Sequence, residues 1–346
     1  MTYSASQYLL IGLAAFVLAG FFTWPVRKLA IRIGAMDRPN LDRKTQKEPV
    51  PYLGGVSIAI TIFVISYAAI AIDNPTSEKF KLASYVLIPA LILGLMGLVD
   101  DLKVLNTLPR LVLQTLAAVF VSIILIQTET MGYAFGNQVI DVIVSILWIV
   151  GICNSINFFD NLDGGAAGTV AASTIGIFFV AFGEGQELVS ALAILTAGAT
   201  CGFLLWNKAP AKIYMGDAGA LFLGLIVATL TIRMDPGITP NWQSIAIPVI
   251  LLAVPILDTT VAVVSRIYRG VSPIEGGKDH LSHRLVRVGM EPKNAAVTLW
   301  VASALTSFVA VVIYSYAGKV GSIIVFCFAT IWLFALYIFL RIPSTD

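Results

Sequence analysis

Asp100 and Asp101 stand side by side where an apolar run, VLIPALILGLMGLVDD, ends. Carboxylates at membrane depth are costly, so they sit where water, a cation or a partner reaches them. Two adjacent ones repel unless something positive lies between them. Three more acids share the setting: Asp160 and Asp163 in NFFDNLDGG, and Asp217 in YMGDAG. On a helical turn the i, i+3 spacing puts Asp160 and Asp163 on one side, with Asn157 three residues earlier on the same face. A plain polar loop before a helix start is the alternative. Oxygen-only sites near phosphates favour Mg²⁺, which takes one or two carboxylates and keeps waters. Five acids exceed one such ion, so some do other work, such as reading a base or moving a proton.

Asp217 follows Asn207, Lys208, Lys212 and Tyr214 within eleven residues. Acid, base, amide and ring together read as a site for a phosphate-bearing aromatic ligand such as a nucleotide. Capping a helix N-terminus is the simpler role for Asp217 taken alone. The two histidines, His280 and His283, lie in RGVSPIEGGKDHLSHRL. With Lys278 and Arg284 they make a basic loop able to grip phosphates. They fall short of a zinc ligand set. Asp258, in VPILDTTVA, lies deeper in an apolar run that Pro255 is expected to kink. It is either a functional intramembrane acid or a polar contact between spans.

The elements that position these residues are membrane spans. Of 346 residues, 58% are hydrophobic and 12% charged, and apolar stretches of 18 or more recur. The fold class is therefore an all-α polytopic integral membrane protein. Eleven spans are expected, at 8–26, 53–72, 82–99, 109–127, 139–156, 164–182, 187–206, 217–234, 244–267, 295–317 and 319–340. The first does not read as a removed signal peptide. With the segment after the first span taken as cytoplasmic, eighteen of the 22 Lys and Arg residues fall on the cytoplasmic side. This positive-inside asymmetry puts the N-terminus outside and the C-terminus in the cytoplasm. All five acids then share the cytoplasmic face. The chain 1–346 reads as a single domain whose chemistry lies in cytoplasmic loops 27–52, 100–110, 154–166, 207–217 and 266–294. Cys153, Cys201 and Cys327 fit neither a disulfide framework nor a metal site.

Five motifs in order resemble one family: a Lys/Pro loop ending PYLGG, then GLVDDLK, NFFDNLDGGAAG, NKAPAKIYMGDAGALFLG and DHLSHRL. The chain resembles the polyprenyl-phosphate N-acetylhexosamine-1-phosphate transferases over roughly residues 27–290. Eleven spans with an outside N-terminus resemble the GlcNAc-1-phosphate branch, of teichoic acid and O-antigen synthesis, rather than the muramoyl-pentapeptide branch. The resemblance implies transfer of a sugar-1-phosphate from a UDP-N-acetylhexosamine, GlcNAc above all, to undecaprenyl or another polyprenyl phosphate. UMP is released, in the first membrane step of a cell-envelope glycan. It implies Mg²⁺, or Mn²⁺ in its place, with Asp217 as the principal ligand. Asp100 and Asp101 match an acid pair that activates or positions the lipid phosphate, and Asp160 a polar active-site position. Asn157, Asp163, Asn207 and Tyr214 fall at nucleotide-binding positions, Tyr214 where a ring stacks on uracil. Lys47, Lys103, Arg110, His280, His283 and Arg284 fall where phosphates or sugar are gripped.

Whether attack is direct or passes through an aspartyl intermediate stays open; a covalent route would use Asp100, Asp101 or Asp160. The implied setting is the inner (plasma) membrane with the site facing the cytoplasm, a homodimer as assembly and no nucleic-acid partner. Two positions depart from the common pattern. Ser282 stands in HLSHRL where HLHHRL is usual, and Asn161 in DNLDG where DGLDG is usual. The muramoyl-pentapeptide enzyme is the alternative within the family. A secondary transporter is the alternative outside it, with ionisable groups at mid-membrane between repeats.

Overall fold

The computed structural model describes residues 3–37, 48–73, 75–103, 105–272 and 277–344. In chain order the elements are α1 (Ala5–Ile33), β1 (Met36–Asp37), β2 (Val50–Pro51), α2 (Gly54–Asp73), α3 (Ser77–Lys103) and α4 (Thr107–Gln127). Then come α5 (Gln138–Phe159), α6 (Gly165–Gly183), α7 (Glu187–Asn207), α8 (Gly216–Arg233), α9 (Asn241–Leu251) and α10 (Ala253–Tyr268). A short α11 (Leu281–Arg287), α12 (Pro292–Ser315) and α13 (Lys319–Arg341) complete the chain. Among the described residues, ten helices are long and apolar enough to cross a membrane, and the bent pair α9–α10 makes an eleventh if counted as one span. The protein is a helical, multi-pass membrane protein.

Helix α8 is the hub. Every residue from 218 to 231 is buried, and α8 packs against α3, α5 and α2. A helix that is apolar all round belongs inside a bundle or against lipid. Helix α13 is more apolar still, yet only its Gly321 is buried, so its surface faces outward. The start of α8 lies tight against α3. A Cβ on Gly97 would come within 2.4 Å of the Asp217 backbone, so only glycine allows this approach.

Two features correct the sequence reading. The span expected at 244–267 is two helices bent by 72° at Leu252. Pro255 sits in the first turn of α10, where proline is tolerated, and the break lies before it. Proline removes the amide that would bond the Leu251 carbonyl. The Ser173 hydroxyl donates to that carbonyl instead, at 2.9 Å. The second feature is the antiparallel pair β1–β2 at the ends of the first loop, in register Met36 with Pro51 and Asp37 with Val50. The Tyr214 amide extends this pairing by donating to the Pro51 carbonyl at 2.9 Å. The Gly54 and Gly55 amides return bonds to the Tyr214 and Met215 carbonyls, each at 2.9 Å. The strand that starts at 50 thereby fixes the loop leading into α8.

Candidate active site

The first turn of α8 presents three amides that the helix itself cannot satisfy. Its N-cap, Met215, offers no side-chain acceptor. Two acids from other helices supply what is missing. Asp101, near the end of α3, accepts from the Asp217 amide at 3.0 Å and the Ala218 amide at 3.2 Å. Asp160, at the C-cap of α5, accepts from the Gly216 backbone. Carboxylates at this position also favour the positive end of the helix dipole. Gly216 makes the arrangement possible: its φ is +74°, and a Cβ there would stand 2.5 Å from Asp101 Oδ2.

With its backbone clamped, Asp217 turns its carboxylate into a polar cluster. Asn157 Nδ2, from the last turn of α5, donates to Asp217 Oδ1 at 2.8 Å. Arg110, in the first turn of α4, places Nη2 3.1 Å from Asp217 Oδ2 and Nη1 2.6 Å from Asp100 Oδ2. The same Nη2 reaches Asn157 Oδ1 at 3.4 Å. Asp100 Oδ1 accepts from the Leu105 amide at 2.5 Å. The Asp217 side chain is 28% exposed and that of Asp100 is 6%. Both acids have donors on both oxygens, and Asp217 is the more accessible of the pair. Burial and the neighbouring Asp217 and Asp101 hold the Asp160 carboxyl well above the usual carboxylate range.

Beside this cluster lies a cleft of about 670 Å³ lined by Arg27, Pro51, Asp163, Ala211, Tyr214 and Lys293, among others. That volume suits a nucleotide-sized ligand. Asp163 accepts from the Ala211 amide at 2.9 Å, which fixes the loop before α8. Burial raises its pKa and that amide offsets part of the rise. Burial, then Asp163, pushes the Tyr214 phenol up, so the ring stays neutral. Arg27 Nε donates to the Lys212 carbonyl at 2.8 Å. Asn207 is buried and its Nδ2 donates to the Ile213 carbonyl at 3.0 Å, bracing the loop from within.

The histidine loop is held from behind. His280 Nδ1 lies 2.7 Å from Asp258 Oδ2, and the Leu281 amide donates to Asp258 Oδ1 at 2.7 Å. The deep acid is therefore the anchor of the histidine loop. Arg266 of α10 and its C-cap residue Arg269 grip Asp279 at 2.8 and 2.5 Å. The sequence reading missed this role of Asp279; its signal was the loop's one aspartate, set between Lys278 and His280. Arg284 requires a correction. It is 1% exposed, and its guanidinium donates to the Asp279 carbonyl, the Ser265 hydroxyl and the Phe339 and Ile342 carbonyls. It braces α11 against α10 and the end of α13 and has no face toward a phosphate. His283 lies 6.2 Å from His280, ring to ring. Burial and then the neighbouring His280 depress it to about 4, so it is neutral at pH 7. Lys103 is exposed at the end of α3, and Lys47 lies outside the described residues.

The structure thus gathers Asp100, Asp101, Arg110, Asn157, Asp160 and Asp217 at one end of the bundle, with Asp163 and Tyr214 lining the adjoining cleft; Asn207 is buried behind that loop and is not among the residues lining the cleft. Comparison with known proteins matches the glycosyl transferase family 4 profile to residues 83–235, from α3 to just beyond α8. A probable undecaprenyl-phosphate N-acetylglucosaminyl 1-phosphate transferase of Bacillus subtilis (strain 168) is 32% identical over 325 residues, covering 92% of this chain and 84% of its own. The chain belongs to glycosyl transferase family 4. A decaprenyl-phosphate N-acetylglucosaminephosphotransferase of Mycolicibacterium smegmatis is 32% identical, covering 84% of this chain and 79% of its own. An undecaprenyl-phosphate alpha-N-acetylglucosaminyl 1-phosphate transferase of Salmonella typhi is 26% identical, covering 86% and 82%. The family match spans the acid cluster and the loop before α8, and stops short of the histidine loop.

Proposed function

We propose that this family 4 protein transfers N-acetylglucosamine-1-phosphate from UDP-GlcNAc to a polyprenyl phosphate, releasing UMP. The observation that carries the reading is the placement of Asp217. Its carboxylate is fixed at the start of α8, open to solvent, three residues beyond the cleft-lining Tyr214. The relatives named above act on polyprenyl phosphates and N-acetylglucosamine by name, which favours this donor over a muramoyl-pentapeptide.

The reaction joins two anions. An oxygen of the lipid phosphate attacks the sugar-bearing phosphorus of the UDP-sugar. A new P–O bond forms, the pyrophosphate bridge breaks, and the bridging oxygen leaves with UMP. A phosphate monoester has its second pKa near 6, so at pH 7 the attacking oxygen already carries charge and needs little help from a base. What it needs is positive charge, and Arg110 supplies it between Asp100 and Asp217. Tyr214 and Asp163 hold the uridine in the cleft, with Arg27, Lys212 and Lys293 at its walls. Asp101 and Asp160 act through the backbone, keeping the first turn of α8 in place. In this reading attack is direct, since the oxygens of Asp100 and Asp101 are engaged by donors and Asp160 is turned to the Gly216 backbone.

Mg²⁺ suits this site. Among the described residues no group of three or more His, Cys, Asp or Glu side chains forms a closed metal cage. One accessible carboxylate with an amide beside it fits an ion that keeps waters and takes substrate phosphates. The Arg110 guanidinium 3.1 Å from Asp217 Oδ2 is in keeping with a site that takes positive charge. When bound, Mg²⁺ would neutralise charge on the pyrophosphate oxygens. Mn²⁺ has the same ligand preferences. The positive-inside asymmetry orients this end of the bundle to the cytoplasm of the plasma membrane, with the N-terminus outside. The test is a panel of UDP-amino sugars offered to the purified protein with undecaprenyl phosphate and Mg²⁺. Transfer from UDP-GlcNAc supports the reading, and no product from any donor overturns it.

A further inference from the structure

Ser282 and Asn161 are the two positions at which this chain departs from the usual motifs, and they touch. Ser282 Oγ, 3% exposed, donates to Asn161 Oδ1 at 2.5 Å. Asn161 Nδ2 donates to the Phe158 carbonyl at 2.7 Å, so both ends of the amide are committed and its orientation is fixed. A glycine at 161 would offer the hydroxyl no side-chain acceptor.

This bond runs directly between two pieces whose main anchors lie elsewhere. Asp258 and Arg284 tie the histidine loop to α10 and to the end of α13. The 160–164 turn is tied to α8 and its preceding loop through Asp160 and Asp163. Among the described residues, rings and apolar groups also meet across the seam, and Trp300 Nε1 of α12 donates to the Gly164 carbonyl at 2.9 Å. The Phe158 and His280 rings lie 5.8 Å apart, and Phe159 and Leu281 share an apolar cluster. Such contacts attract without fixing direction. We propose that the Ser282–Asn161 hydrogen bond is a latch that sets the register of His283 against the Asp160–Asp163 turn. The two residues are thus a matched positioning pair for the transfer step. The assignment of a step rests on the transferase reading; the latch itself does not.

The test is a double-mutant cycle in the full-length protein, using Ser282→Ala, Asn161→Ala, the double variant and Ser282→Thr. Losing one well-placed hydrogen bond in the site is expected to lower kcat for transfer from UDP-GlcNAc about tenfold. The double variant should lose no more than the worse single one, and Ser282→Thr, which keeps the hydroxyl, should recover most of the rate. UDP affinity should stay within about twofold of wild type, because Asp163 keeps its own bond to the Ala211 amide and Tyr214 is not altered; a general loosening would weaken it too. Additive losses approaching a hundredfold, or unchanged kcat in both single variants, overturn the latch. Hydrogen exchange of residues 279–288 gives a readout independent of turnover. Faster exchange in both single variants supports the latch even if wild type transfers no sugar, which would sink only the transferase reading. Unchanged exchange overturns the latch.

Discussion

Replacing Asp101 by Asn tests whether that acid builds the frame or touches substrate. Its two oxygens accept the Asp217 and Ala218 amides at 3.0 and 3.2 Å. Asn has the same shape but only one acceptor. Whichever way its amide turns, one backbone N–H of α8 faces an NH₂ group. Leaving a buried donor unsatisfied costs about 1–3 kcal/mol. Removing the negative charge from the helix N-terminus costs about 0.3–2 kcal/mol more. The two effects sum to roughly 1.3–5 kcal/mol, or about ten- to several-thousandfold in the opening of the first turn. Hydrogen exchange by mass spectrometry should show peptides containing 216–219 exchanging faster by that factor in Asp101→Asn. UMP release should fall with it, because Asp217 rides on the same turn. If turnover is lost while these amides exchange at the wild-type rate, Asp101 acts on the substrate and the capping argument is wrong.

Gly216→Ala should be worse than its size suggests. The new methyl would stand 2.5 Å from Asp101 Oδ2 at a backbone φ of +74°, so thermal unfolding in detergent should move down and activity should go with it. A Gly216→Ala protein as stable as wild type would contradict the close approach. His283→Gln addresses pH. The His283 pKa is depressed from its ordinary value near 6.5 to about 4. Its contribution is therefore fully present above pH 6.5 and is lost as pH falls through 4, to the extent of about 2–3 kcal/mol. The variant should show a flatter stability profile between pH 6.5 and 4; an identical slope would remove His283 as a cause. Tyr214→Ala should weaken UDP binding by roughly 1–3 kcal/mol if the ring stacks on uracil, measured by calorimetry. Unchanged affinity would reject the stack.

The membrane architecture was readable because an apolar run of about 20 residues has few other fates. Hydropathy could not separate α8 from α13: both are apolar, yet one is enclosed by neighbouring helices and the other is not. Nor could it locate the break at Leu252, since Pro248 and Pro255 flank it and either one reads as a kink. The acids were legible as a group, because alternating span directions bring the ends of α3 and α5 and the start of α8 together. Their division of labour was hidden. Asp101 and Asp160 hold backbone amides, and every residue except proline has an amide, so the partner leaves no mark in the sequence. Arg284 was misread for a related reason: a basic residue in a basic loop looks like a phosphate ligand until its donors are traced to the carbonyls of Phe339 and Ile342. Ser282 and Asn161 were visible as departures from the motifs, but 121 residues of chain separate them, and their pairing needed coordinates.

Asp217 is the residue on which the proposed reaction turns. The decisive measurement compares UMP release from UDP-GlcNAc, with undecaprenyl phosphate and Mg²⁺, by wild type and by Asp217→Asn, each first checked for intact folding. Asn keeps the shape and can keep one of the contacts to Asn157 and Arg110 while removing the charge. Wild type should release UMP, and should stop when the metal is chelated. Asp217→Asn should be reduced to background at an unchanged unfolding temperature or a higher one. Near-normal UMP release by a folded Asp217→Asn protein would contradict the assignment of that carboxylate as the open acid of the site.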